Sequence, residues 1–342
     1  MPVEVALPVT NQEGFFEIRL ESIGGLGANV AGKILAEAGV LHGGLNASNF
    51  ASYGSEKKGT PVKSFIRFAA PDKEIRNATP VERPHVLGIF HEALVRSDRG
   101  VLSGIYPHSI VVINTRKDPA TIREQLGLNA RLVGAVKALD IATETGSRTN
   151  MAMLGAITKA CEFLAPEGVV EAIKASLGTR YPQLLQANLE AFWRGYHEVQ
   201  WLELPEAELA GIEEQPYVRP QPLFGYETAV AGGTLVAPGT TFNKDMSASR
   251  QGQLPEFLRD KCIDCAQCDL VCPDYCFVWE KGQDKRGRPA MVLLGIDYQY
   301  CKGCLKCVEA CPVDALVAIA EADGWAGDHR VQQRYSILAT AG

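Results

Sequence analysis

Cysteine is the residue type whose spacing in this chain most directly encodes chemistry. Nine of the ten cysteines fall between Cys262 and Cys311. Cys262, Cys265, Cys268 and Cys272 are spaced C-x2-C-x2-C-x3-C with Pro273 next, and Cys301, Cys304, Cys307 and Cys311 repeat that spacing with Pro312 next. Three thiolates two residues apart let a tight loop wrap one face of an iron–sulfur cubane while backbone N–H groups point at its sulfides. The fourth, one helical turn on, is directed at the other cluster of a pair. The expected ligand sets are therefore crossed: Cys262, Cys265, Cys268 and Cys311 on one [4Fe-4S] cluster, and Cys301, Cys304, Cys307 and Cys272 on the other. Structural zinc is the alternative, but it takes paired C-x2-C knuckles, and a third cysteine at the same interval followed by C-P does not divide into such pairs. The prolines lack an N–H to satisfy and suit a chain entering a helix.

The segments KCIDCAQCDLVCPDYCF and YCKGCLKCVEACPVDAL align cysteine for cysteine, a duplicated motif with two-fold pseudo-symmetry. Cys276 lies outside both sets and reads as a small buried side chain beside a cluster, and Cys161, inside MLGAITKACEFLA, reads as a core residue. Between the motifs, FVWEKGQDKRGRPAMVLLGIDYQY has two apolar, β-prone runs around a charged turn, which predicts an inserted hairpin. Its turn carries Lys281, Lys285, Arg286 and Arg288, a solvated basic spot that could also steer an acidic redox partner.

The elements that must carry this chemistry fall into blocks. Residues 15–200 alternate between strand-like and helix-like segments. Strands are predicted at 15–23, 62–70, 85–90, 109–115 and 130–136, and helices at 28–38, 150–163, 167–177 and 182–196. Such alternation is how an α/β domain with a parallel sheet is written. From there the pattern fades into proline- and glycine-containing sequence without periodicity. The expected domains are 1–202, an extended connector over 203–254, a cysteine module over 255–322 and a tail over 323–342.

A formal charge of −6 with 46% hydrophobic and 22% charged residues describes an ordinary globular protein, and argues against nucleic-acid or anionic-membrane partners. The N-terminal residues have no basic region followed by an apolar stretch, and no run of about 18 apolar residues occurs. Cysteine density without an export signal points to metal rather than disulfides, and the reading is a cytoplasmic protein.

The glycine-rich segment Ile23-Gly24-Gly25-Leu26-Gly27-Ala28-Asn29-Val30-Ala31-Gly32-Lys33 follows a strand and opens a helix. As a dinucleotide fingerprint it needs Gly or Ala where Val30 stands, and as a phosphate loop it needs Ser or Thr where Ile34 stands. Both readings lack a residue that their chemistry requires. A tight turn whose glycines permit close packing, or a loop facing a cofactor held by another subunit, remains.

Together the two halves resemble the 2-oxoacid:acceptor (pyruvate:ferredoxin-type) oxidoreductases. GGLGANVAGKILAEAG followed by SYGSEKKGTPVKSFIRF is similar to their gamma subunit, and the segment from Lys261 to Leu316 to their ferredoxin-type delta subunit. The resemblance implies a fused gamma and delta chain. Its fold would be an α/β gamma-type domain with a mainly parallel sheet, then an α+β ferredoxin-like domain with two [4Fe-4S] clusters. It further implies an enzyme complex that decarboxylates a 2-oxoacid on thiamine diphosphate and Mg, held by alpha and beta subunits. The electrons then leave one at a time toward ferredoxin or a flavin-containing acceptor subunit. No catalytic residue is expected here, since no GDG-then-distant-Asn motif for the diphosphate is present. By the same resemblance the gamma domain packs over the alpha/beta active site and, in some members, near coenzyme A. The positions implied to face that cofactor region are Gly24, Gly25, Gly27, Tyr53, Gly54, Glu56, Lys57, Lys58 and Gly59, with Pro61 beside them. Leu26 stands where the family usually has Gln.

Two readings from other classes stand beside this one: a stand-alone ferredoxin-like carrier with a fused binding domain, and a nucleotide-dependent enzyme using the glycine loop. Within the family reading the substrate stays open among pyruvate, oxalate, 2-oxoglutarate, branched-chain and aryl-glyoxylate 2-oxoacids.

Overall fold

A computed structural model of the chain describes residues 6–53, 60–97, 99–178, 181–209, 214, 216–217, 231–233, 245–250, 252–284 and 286–333. Two compact units divide the chain, Met1–Leu223 and Phe224–Gly342. Most of the expected connector, Lys285 and the end of the tail lie outside the described residues.

The first unit runs β1 (Phe16–Ile23), α1 (Ala28–Leu41), β2 (Asn46–Tyr53), β3 (Pro61–Ala69), β4 (Val86–Ile89), α2 (Ala93–Ser97), β5 (Ile110–Asn114), α3 (Pro119–Leu126), β6 (Leu132–Val136), α4 (Ala138–Thr145), α5 (Thr149–Ala160), α6 (Pro166–Ile173), α7 (Leu185–Glu198), β7 (Gln200–Glu203) and α8 (Glu206–Leu209). Its seven-stranded sheet has the order β2-β3-β1-β4-β5-β6-β7. The four inner strands β1, β4, β5 and β6 are parallel. Of these, β4, β5 and β6 read as apolar runs, VLGI, IVVIN and LVGAV, because both of their faces are buried. Antiparallel strands finish each edge, β3 and β2 on one side and β7 on the other.

α5 is buried almost all round, and it packs against α7 through glycine. A Cβ at Gly155 would stand 2.0 Å from the Phe192 carbonyl oxygen, and one at Gly195 2.0 Å from that of Ala152, so only hydrogen fits where the two backbones meet. α3 is bounded by its own chemistry: the Asp118 carboxylate accepts from the N–H groups of Ala120 and Thr121, Pro119 opens the first turn, and Gly127 closes it at φ 65°.

β1 buries its charged residues as well as its apolar ones. Arg19, nearly fully buried, pairs with Glu21 at 3.1 Å and donates to the carbonyls of Val81, Val101 and Ser103. Arg67 on β3 pairs with Glu17 at 2.7 Å. The segment crossing that face thus satisfies its carbonyls with guanidinium groups in place of a strand.

The second unit contains β8 (Gln253–Phe257), α9 (Gln267–Val271), β9 (Phe277–Gln283), β10 (Pro289–Ile296), α10 (Lys306–Glu309), β11 (Leu316–Ala320) and α11 (Trp325–Asp328). β8 pairs with β11, and β9 with β10 as the inserted hairpin, both antiparallel. Asp284 closes the hairpin turn by accepting from the N–H groups of Arg286 and Arg288 and pairing with the Arg288 guanidinium at 2.7 Å, so that cation is already engaged. The described part of the tail packs back on this unit. Trp325 meets Tyr298 edge to face, and fully buried Asp297 accepts from Arg330 at 2.6 Å and from the Gln333 N–H at 2.9 Å.

Candidate metal centre and glycine turn

The repeated motif folds twice in the same way. Asp264 and Gly303 (φ 56° and 66°), Ala266 and Leu305 (61° and 58°), and Tyr275 and Asp314 (49° and 51°) hold equivalent places in the two halves, and all are left-handed. Non-glycine residues adopt that conformation at a cost, and a series of such turns aims backbone N–H groups inward as an anion-binding concavity. Three amides already point at cysteine sulfur: Asp264 N–H to Cys262 Sγ at 3.4 Å, Cys276 N–H to Cys272 Sγ at 3.4 Å, and Ala315 N–H to Cys311 Sγ at 3.2 Å.

The eight motif cysteines divide between two cavities. One, of about 330 Å³, is lined by Cys262, Cys265, Cys268 and Cys311. The other, of about 340 Å³, is lined by Cys272, Cys301, Cys304 and Cys307, with Cys276 on its wall. Each cavity therefore takes three cysteines from one half of the repeat and the fourth from the other. In both halves the middle cysteine of the three, Cys265 or Cys304, is exposed, and the two beside it are buried. All ten cysteines are free, including Cys161, which is buried in the first unit. Among the described residues no group of three or more His, Cys, Asp or Glu side chains could hold a single metal ion. Four thiols around each cavity, with amides aimed at sulfur, fit a [4Fe-4S] cluster.

Burial pushes the Cys268 and Cys307 thiols up to about 12 and raises that of Cys262. Ligation requires the thiolate, so assembly must release those protons. Beside the second cavity the neighbouring Cys276 thiol holds those of Cys272 and Cys301 below their ordinary value, bringing Cys272 to about 6. Arg250, which the motif spacing gave no reason to single out, is buried and pins the second loop. It donates to the Cys301 carbonyl at 3.0 Å and to that of Tyr298, and pairs with Glu321 at 2.5 Å.

In the first unit, β1 ends at Ile23 and α1 begins at Ala28, with Gly25 at φ 110° and Gly27 at φ 80° between them. The Gly24 N–H donates to the Thr60 carbonyl at 2.8 Å, and Pro61 stands opposite Ile23 in the sheet. Tyr53 reaches the same place, its hydroxyl accepting from the Asn29 side chain at 2.6 Å. Gly24, Gly25, Gly27, Tyr53 and Pro61 are thus brought to one edge of the sheet, beyond the carboxyl end of β1. Gly54, Glu56, Lys57, Lys58 and Gly59 lie outside the described residues.

Leu26 is buried in the turn. Asn150, also missed in the sequence, donates to the Gly27 carbonyl at 3.3 Å from the start of α5, and a Cβ at Gly27 would come within 2.5 Å of its nitrogen. Gly32 serves packing: a Cβ there would stand 2.3 Å from Ser64 Oγ and 2.7 Å from Asn49 Nδ2 on the sheet. Lys33 faces solvent and pairs with Glu37 at 3.5 Å, so neither half of the phosphate-loop pattern is arranged for a nucleotide.

Comparison with known proteins separates the two units in the same way. The sequence matches the family model described as pyruvate ferredoxin/flavodoxin oxidoreductase over residues 17–198, and that of a 4Fe-4S dicluster domain over residues 261–315. Pyruvate synthase subunit PorC of Thermotoga maritima is 34% identical over 196 residues, which cover 56% of this chain and 98% of that protein. The pyruvate/ketoisovalerate oxidoreductases common subunit gamma of Pyrococcus furiosus is 33% identical over 190 residues, 55% of this chain and 99% of that protein. Pyruvate synthase subunit PorD of Methanothermobacter marburgensis is 41% identical over 85 residues, 25% of this chain and 88% of that protein. Among the described residues no helix is long and apolar enough to cross a membrane.

Proposed function

Because the chain belongs to the pyruvate ferredoxin/flavodoxin oxidoreductase family and carries a 4Fe-4S dicluster module, we propose that it is the fused gamma and delta subunit of a thiamine-diphosphate-dependent 2-oxoacid:acceptor oxidoreductase. In this reading residues 1–202 are the gamma-type domain, 203–254 the connector, 255–322 the delta-type module and 323–342 the tail. The chain relays electrons and supplies no catalytic residue. Alpha and beta subunits hold thiamine diphosphate, Mg and, where it is used, coenzyme A. Ferredoxin or a flavin-containing subunit accepts the electrons, and the complex is cytoplasmic. Ten free cysteines accord with a reducing compartment.

The observation that carries this reading is the division of eight cysteines between two cavities, each drawing on both halves of the repeat. Cys262, Cys265, Cys268 and Cys311 would hold one [4Fe-4S] cluster and Cys301, Cys304, Cys307 and Cys272 the other. Each cluster, when bound, takes and gives one electron at a time. The residues of this chain provide the thiolates and aim amides at their sulfur, and Cys265 and Cys304 are the exposed members of the two sets. The glycine turn, with Gly24, Gly25, Gly27 and Tyr53 beside Gly54, Glu56, Lys57, Lys58 and Gly59, would face the partner subunits' cofactor region.

The substrate is a 2-oxoacid, pyruvate or another such as an aryl-glyoxylate or oxalate. The Pyrococcus furiosus relative is named as common to two oxidoreductases, which accords with a gamma domain that does not select the substrate. Anaerobic purification of the native complex tests the proposal. About eight irons per chain, a reducible paramagnetic signal, thiamine-binding partners and 2-oxoacid turnover are expected. A monodisperse holo-protein without such partners would instead mark a stand-alone carrier.

A further inference from the structure

The two halves of the repeat share a backbone but not the side chains that face the cavities. Where the first cavity has Ile263 and Gln267, the second has Lys302 and Lys306. Asp264 lines the first, and glycine, Gly303, takes its place in the second half. Cys276 lines the second at the position that Ala315 fills in the first.

These exchanges act in one direction, and only Asp274, in the place that Val313 holds in the first cavity, opposes them. Reducing a cluster adds negative charge, so nearby cations and hydrogen bonds to its sulfurs favour the reduced form, and a carboxylate disfavours it. Lys302 and Lys306 against Asp274 leave the lining of the second cavity one positive, while Asp264 leaves that of the first one negative. Ion pairs moderate the contrast without removing it. Lys302 meets Asp274 at 2.9 Å, and Arg259 grips Asp264 through both guanidinium nitrogens. That leaves the first site near neutral and the second with the charge of Lys306. Asp264 Oδ1 nonetheless stands 3.8 Å from Cys262 Sγ. The second site also has the Cys276 thiol on its wall, where the first has the methyl group of Ala315. Solvent exposure does not oppose these effects, because Cys262, Cys268, Cys301 and Cys307 are buried alike at 7–8%.

We infer that the two sites are unequal in reduction potential, and that a cluster held by Cys272, Cys301, Cys304 and Cys307, beside Cys276 and Lys306, is the easier to reduce. A single electron on the module therefore rests there. A second electron, from the same two-electron oxidation of a 2-oxoacid, must occupy the site beside Asp264 or leave to the acceptor. The inference rests on the two-cluster reading above.

The test is an anaerobic redox titration of the full chain followed by paramagnetic resonance, with iron counted on every sample. For the unaltered chain two one-electron steps are expected. Among modules that carry a single electron, those reduced at one cluster should outnumber those reduced at the other at least tenfold, which is 59 mV for a one-electron couple. Cys276→Ala and Lys306→Gln should each move the higher step down and leave the lower in place. Ala315→Cys, which gives the first site the missing thiol, should move the lower step up. A single unresolved two-electron wave would overturn the inference, as would variants that move the opposite step or neither. The surface substitution Lys306→Gln decides the matter if the buried changes cost iron. Fewer than about eight irons in the unaltered chain would instead overturn the two-cluster reading itself.

Discussion

The two units of this chain are held together by different means. The first buries a long parallel sheet between helices, with Ile18, Leu20, Ile66, Phe68 and Leu87 fully buried, and its glycines allow α5 and α7 to touch backbone to backbone. The second is smaller, and among the described residues five of the thirteen in its buried core cluster are cysteines: Cys262, Cys268, Cys276, Cys301 and Cys307. Thiols pushed up by burial are poor core material until iron replaces their protons. The contrast is between a unit stabilised by packing and one expected to draw its stability from iron ligation, and each should then be open to disturbance without the other.

The largest effect should come from paired cysteine changes. With crossed ligand sets, Cys262→Ser with Cys311→Ser damages one site only, and about four irons per chain should remain. Cys262→Ser with Cys272→Ser damages both, and iron should fall toward zero. Amide protection of the second unit should collapse in the latter protein while that of the first unit persists, as hydrogen exchange followed by mass spectrometry can show. Equal iron contents in the two double variants would break the crossing.

The packed unit should respond instead to acid. His85 is buried, stacks on Phe16 at 4.8 Å and accepts the Glu17 backbone N–H at Nδ1 at 2.9 Å, a bond that only the neutral ring can make. Burial lowers it from 6.5 to about 4. Between those values the unfolded chain binds a proton that the folded one refuses. The stability is therefore complete above pH 6.5 and is lost as the pH falls toward 4, by up to about 3 kcal/mol. Denaturant titrations of the first unit across that range should show the loss, and His85→Gln should flatten it. A profile with the same slope in the variant would assign the acid sensitivity elsewhere.

Next in size is Gly155→Ala. The added methyl would meet the Phe192 carbonyl oxygen at 2.0 Å, backbone that cannot step aside as a flexible side chain would. Overpacking of this kind costs about 1–3 kcal/mol. The midpoint of unfolding of the first unit should fall accordingly, with iron content unchanged. A parallel loss of iron would mean that the two units are not independent.

How much of this was legible in the sequence follows the same division. The cysteine spacing predicted which thiols share a cavity because ligation imposes a local geometry, and the repeat displayed it twice. The inner strands at 86–89, 110–114 and 132–136 were legible as apolar runs. β2, NASNFASY, was not, because an edge strand of small polar residues has no apolar pattern and exists through its pairing with β3. β8 and β11 were hidden for a similar reason, five residues each that meet across more than fifty residues of chain. α3 did carry a signal in Asp118, Pro119 and Gly127, a cap, an opening proline and a closing glycine, that a search for apolar spacing passes over. The burial of Arg19 and Arg67 was not legible, because beside the carboxylates of Glu21 and Glu17 they meet carbonyls brought in from elsewhere in the chain. Arg250 and Asn150 belong to the same class, polar side chains whose role is fixed by a distant backbone atom.

The smallest predicted effect concerns the glycine turn, where packing and ligand binding make opposite demands on one lysine. In a phosphate loop Lys33 would reach back over the bound phosphates, and its loss would abolish binding. Here its side chain is 65% exposed and meets Glu37 one helical turn along at 3.5 Å. An exposed pair of that spacing contributes about 0.3–0.5 kcal/mol, and salt screens it. Lys33→Ala should therefore lower stability by no more than that at low ionic strength and by less at high. Calorimetric titration with ATP should give no heat of binding for either protein. Binding by the unaltered chain that vanished in the variant would turn the turn back into a nucleotide site and set a ligand-dependent element inside the unit assigned to packing. Without it, Gly32 against Ser64 and Gly27 against Asn150 account for the glycines, as positions where a helix lies closer to its sheet and to α5 than any side chain would allow.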